Sequence, residues 1–78
     1  MDPGEAALRV LTESGETLHW TVVWDRALRA GYIDPMTHPD ARDALVRWLS
    51  DAARSGSIEK TSTGTYRAKS AGGAEGSG

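Results

Sequence analysis

The chain has 78 residues, a net charge of −2 and no cysteine, which bounds it to one small domain and removes disulfides, thiolate chemistry and cysteine-based zinc sites. A domain of this size buries only about 60% of the surface its unfolded chain exposes, so its apolar side chains are needed for the core and few are left to enclose an active site. No run approaches the ~20 apolar residues of a membrane span, and Met1-Asp2-Pro3 opens no basic segment leading into an apolar one; a cytoplasmic protein with no membrane contact is the expectation.

Asp2-Pro3-Gly4-Glu5 reads as a helix start: a carboxylate to accept from free backbone N–H groups, a proline in the first turn and an acid three residues after the cap. Ala7, Leu8, Val10 and Leu11 supply an apolar stripe, and Ser14-Gly15 stops a helix running to about Glu13. Thr17-Leu18-His19-Trp20 is a short extended piece. Thr21 then caps a second helix carrying Val22, Val23, Trp24, Ala27 and Leu28. Gly31 fits the left-handed position that ends helices, with Tyr32-Ile33 folding back on the last turn.

Asp34 to His38 is a connector, after which Pro39 suits the first position of a third helix. Within it Ala41, Ala44, Leu45, Trp48, Leu49 and Ala52 recur at three- and four-residue steps, leaving Arg42, Asp43, Arg47, Ser50, Asp51 and Arg54 on the other side. Ser55-Gly56 ends it. Residues 57–61 and 65–69 read as two strands around Ser62-Thr63-Gly64, with Ile58, Tyr66 and Ala68 facing the helices. The folded unit is 1–69, and 70–78 reads as a flexible Gly/Ser/Ala tail. The expected fold is α+β: a winged helix-turn-helix of three helices, a short strand and a C-terminal β-hairpin wing.

Ala7-Leu8-Arg9-Val10-Leu11, Leu18-His19-Trp20, the run from Ala27 to Ile33, and Gly64-Thr65-Tyr66 after a third amphipathic helix together resemble the HARE-HTH winged-helix family. That family includes the N-terminal domain of the bacterial RNA polymerase delta subunit and domains attached to restriction endonucleases and chromatin proteins. The resemblance covers about residues 5 to 69 and implies a winged helix that binds DNA or docks on RNA polymerase. Pro35-Met36-Thr37-His38-Pro39 departs from the basic or glycine-containing connector frequent in the family.

Charge is uneven along the chain. Residues 1 to 35 hold six acids and three bases, residues 36 to 78 five acids and six bases, and from Arg54 to Lys69 the only acid is Glu59. In helix-turn-helix proteins one helix presents side chains to base edges while cations and hydroxyls hold phosphates. The expected DNA contacts are therefore Arg42, Arg47 and Arg54 on the third helix, and Lys60, Ser62, Thr63, Thr65, Arg67 and Lys69 on the wing. Against contact, Arg47 and Arg54 stand three or four residues from Asp43 or Asp51, a spacing at which ion pairs stabilise a helix by ~0.2–0.5 kcal/mol. The wing cations have almost no acid near them in sequence.

Trp24 and Trp48 fall on apolar helix faces and belong to the core, while Trp20 is expected partly exposed. His19 and His38 do not make a metal site without cysteine or a matched carboxylate set, and no phosphate loop, nucleophile elbow or acid–base pair is present. The expectation is a binding protein, not an enzyme, with no cofactor and no small-molecule ligand: a weakly sequence-specific duplex-DNA binder acting as transcriptional regulator or targeting module. The acidic first half, with Glu13, Glu16, Asp25 and Asp34, keeps open the alternative of a module that docks on a protein such as RNA polymerase or another nucleic-acid machine.

Overall fold

The computed structural model describes residues 1–69; the expected tail over 70–78 lies outside the described residues. Helix α1 spans Pro3–Ser14. Asp2 caps it, one carboxylate oxygen accepting from the backbone N–H groups of Gly4 at 3.0 Å and Glu5 at 3.3 Å, and Gly15 at φ +64° closes it. Ala6, Ala7, Val10 and Leu11 are buried, but Leu8 is 41% exposed. At about 100° per residue, Leu8 is turned off the buried stripe, so its expected place on that stripe is corrected.

Strand β1 is Leu18–His19 and helix α2 is Trp20–Arg29. The cap is His19 and not the expected Thr21: its Nδ1 accepts from the Thr21 backbone N–H at 3.3 Å and bonds the Thr21 hydroxyl at 2.8 Å. The reason is tertiary. Sheet pairing holds the backbone extended through His19, and the Trp20 N–H donates to the Gly64 carbonyl at 2.8 Å, so the helix starts immediately after the strand. Val23 and Ala27 are buried, while Val22 lies at the surface. Beyond Ala30, Gly31 adopts φ +77°, and the Tyr32 N–H reaches back to the Ala27 carbonyl at 2.9 Å.

Tyr32 then ties the end of α2 to α1. Its hydroxyl donates to the Glu13 carboxylate at 2.8 Å, Arg9 pairs with the same carboxylate at 3.7 Å, and the Arg9 guanidinium lies 5.7 Å from the Tyr32 ring centre. The hydrogen bond to Glu13, followed by burial and the Glu13 charge, pushes the Tyr32 phenol above its ordinary value of 10.0, partly opposed by Arg9.

In the connector, an Asp34 carboxylate oxygen accepts from the Met36 N–H at 2.9 Å, and the Asp34 carbonyl accepts from the N–H groups of Thr37 and His38. Helix α3 is Ala41–Ser55, two residues later than the expected start at Pro39. The Ala41 N–H donates to the His38 carbonyl, closing a turn over Pro39 and Asp40, and the helical ladder first runs from Ala44 to the Asp40 carbonyl at 2.9 Å. Ala41, Leu45, Leu49 and Ala52 are buried, with Trp48 packed against them. The Trp48 indole sits over Gly4: a Cβ there would lie 2.5 Å from its Cδ1, so only glycine lets α1 and α3 approach this closely.

Strands β2, Ile58–Ser62, and β3, Thr65–Ala68, form an antiparallel hairpin. Ser62 pairs with Thr65 and Lys60 with Tyr66, so Thr61 is an extra residue and the connection is Thr63-Gly64, one residue shorter than expected. Strand β1 adds to β3 through Leu18↔Tyr66 and His19↔Thr65, giving the order β1-β3-β2. Leu11, Val23, Leu45, Leu49 and Ile58 form the fully buried centre, and Tyr66 closes the sheet side. The result is a small α+β fold, three helices on a three-stranded antiparallel sheet, in a layout compatible with a winged helix. Among the described residues no helix is long and apolar enough to cross a membrane.

Candidate nucleic-acid interface

The outward face of α3 divides by position along the helix. In its N-terminal half Arg42, Asp43, Val46 and Arg47 line, together with Trp20 from the start of α2, a shallow open groove of about 610 Å³. Arg42 and Arg47 make no ion pair among the described residues. The expected pairing of Arg47 with Asp43 is therefore open, although Asp25 and Arg29, in the same order and at the same spacing on α2, are closed at 2.8 Å. Trp20 links this groove to the hairpin turn, since its N–H is bonded to Gly64.

The C-terminal end of α3 is different. Arg54 pairs with Asp51 at 3.5 Å, both well exposed, the pairing weighed from spacing. Twelve residues separate Arg42 from Arg54, about 18 Å along the axis. Lys69 lies at the same far end: its ammonium is 3.6 Å from where a Cβ on Gly56, the C-cap of α3, would sit. There the positive charge lies near the negative end of the α3 dipole.

The hairpin cations are less free than their run in the sequence implies. Glu59 stands directly opposite Arg67 in the β2–β3 register, and the Arg67 Nε donates to its carboxylate. The expectation of nearly unopposed wing charge is corrected on this point: one acid is enough to occupy one guanidinium when pairing sets them face to face. With side chains alternating across a sheet, Thr65, Arg67 and Glu59 share the outer face with His19, whereas Lys60, opposite the buried Tyr66, is on the helix side, exposed at the edge strand. Ser62 and Thr63 are exposed at the turn, where the Thr65 hydroxyl donates to the Thr63 carbonyl at 3.4 Å.

Of the nine residues expected from sequence, the fold thus brings Arg42 and Arg47 into one groove, sets Ser62, Thr63 and Thr65 beside the turn that touches Trp20, and sends Arg54 and Lys69 to the opposite end of α3. Asp43 and Val46 were not among them. Val46 sits one turn from Arg42 and packs partly buried at the edge of the core, which places its outer side in the groove. Trp24 and Trp48 pack partly buried against the core, as does Trp20. His19 is spent on the α2 cap, and among the described residues no three metal-ligating side chains come together.

No family model matches the chain, and neither a curated protein nor a solved structure matches it.

Proposed function

We propose that the chain is a winged-helix domain of the HARE-HTH kind that binds duplex DNA in the cytoplasm, as a regulator or targeting module of transcription and without catalysis. The element order and the sheet order β1-β3-β2 support this fold, with β2 and β3 as the wing. One observation carries the ligand: Arg42 and Arg47, neither of them in an ion pair among the described residues, line one open groove on α3 beside Trp20 and the wing turn. Arginines uncommitted within the protein are available to phosphates and base edges. The test is an NMR titration with random-sequence duplex DNA. Shifts are expected at residues 42–50 and 60–65; shifts confined to α1, or none at low salt, refute the reading. With Lys60 and one of Arg42 and Arg47 on phosphates and the other arginine left for a base edge, the log–log salt slope should be near −1.8, about −0.9 for each phosphate contact.

A docking role on RNA polymerase or another nucleic-acid machine is the second reading. It is favoured by the exposed Met1 and Leu8, which line a shallow groove on α1 with Glu5, Arg9 and Thr12. It requires that Leu8→Glu abolish co-purification of such a machine after nuclease treatment while Arg47→Ala leaves it intact.

A further inference from the structure

The α3 groove holds a carboxylate where a phosphate-binding surface would hold none. Asp43 lies between Arg42 and Arg47 on the same groove wall, and a fixed negative charge there repels every phosphate that approaches. No side chain forms an ion pair with it among the described residues, Arg47 at the favourable i,i+4 position included, and it stands in the first turn of α3, where the helix dipole favours a negative charge. The groove therefore offers two sets of N–H donors, one pair of carboxylate oxygens that accept, and an apolar floor from Val46 and Trp20.

A ligand matched to this arrangement must present acceptors and a donor side by side. Phosphate presents acceptors only. The major-groove edge of a C·G base pair presents both: guanine O6 and N7 accept, and the cytosine N4 amino group donates. Arginine is the side chain suited to the first and aspartate to the second. We propose that Asp43 is a specificity-determining residue, selecting cytosine through its amino group while Arg42 or Arg47 takes the paired guanine. This rests on the reading of the chain as a duplex-DNA binder, and it makes that binding sequence-selective where the overall charge argues for indiscriminate contact.

The test uses the full chain and a random duplex pool, with selection of bound sequences followed by affinity titration of single-pair variants. A C·G pair should be enriched at one position, and its replacement by T·A should weaken binding by about 5- to 150-fold. In Asp43→Ala, whose fold is checked by circular dichroism, that preference should vanish while affinity for the unselected pool holds or rises. If Asp43→Ala instead tightens all duplexes equally, or the wild-type chain binds every sequence alike, Asp43 is only a repulsive charge and the inference fails while the DNA-binding reading stands. A C·G preference that survives in Asp43→Ala also overturns it. Absence of binding to any duplex at low salt overturns the inference and the proposed function together.

Discussion

The two ends of α3 carry similar charge and differ in what that charge is committed to. At the N-terminal half, Arg42, Asp43 and Arg47 share an open groove and pair with nothing described. At the C-terminal end, Arg54 is held by Asp51, Lys69 lies over the C-cap glycine, and the adjoining hairpin has Arg67 bound to Glu59. A count of cations gives the advantage to the second region; a count of uncommitted ones gives it to the first. Binding surfaces are made by groups whose partners are missing from the chain itself, so pairing decides more than net charge does.

The comparison breaks most directly by removing each pair of arginines in turn. Arg42→Ala/Arg47→Ala should weaken binding to random duplex DNA by roughly a hundredfold at low salt and flatten the log–log salt slope by about 0.9, the share of the one arginine placed on phosphate. Arg54→Ala/Arg67→Ala should cost only a few-fold, because both guanidiniums already have carboxylate partners. Fluorescence anisotropy at several salt concentrations reads both quantities, and equal losses in the two variants would erase the distinction between the ends.

The next effect is on the scaffold that holds the groove. Gly4→Ala forces the Trp48 ring off its seat, and since the indole is rigid and packed against the core, the helices must part. Overpacking of this kind costs about 1–3 kcal/mol. Asp51→Ala, which breaks only an exposed pair, should cost about 1 kcal/mol or less. Chemical denaturation of the two variants separates packing from surface charge as the support for α3.

How much of this was legible depends on the range of the interaction. The Asp2 cap of α1 and the left-handed glycines at 15, 31, 56 and 64 are local and were readable. The start of α2 was not, because His19 takes the cap only when β1 has paired with β3, an interaction across more than forty residues. The start of α3 was missed because Pro39 and Asp40 are held in a turn closed on His38. The Arg67–Glu59 pair is instructive in another way. Two strands around the 62–64 turn put positions 59 and 67 opposite each other, and that register, not the run of charge along the chain, sets which cations are paired. The openness of Asp43 and Arg47, by contrast, has no sequence signature, since Asp25 and Arg29 share their spacing and close.

Glu59→Gln sharpens the comparison from the other side. It releases Arg67 on the outer face of the sheet, and if commitment is what keeps the wing quiet, DNA affinity should rise several-fold and the salt slope steepen by up to about 0.9. Stability should fall by about 1 kcal/mol or less, the usual worth of an exposed pair. An unchanged slope in anisotropy titrations would mean that the wing lies outside the contact, whatever the state of Arg67.

The smallest effect comes from the Arg9–Glu13–Tyr32 cluster between α1 and the end of α2, whose charges are also committed. Glu13 favours the neutral phenol, so the Tyr32 pKa is raised in the folded chain. A group with a raised pKa contributes stability that is whole below its unfolded value of about 10 and is lost as pH climbs through the folded one. The native chain should therefore show no Tyr32-linked pH dependence near neutrality and a loss of stability only above pH 10. In Glu13→Gln, carbon NMR of the Tyr32 ring should place its titration back toward 10, and duplex binding should be unaltered. If Glu13→Gln instead changes the DNA affinity, the ligand reaches α1, and the division drawn between free and committed charges no longer marks the binding face.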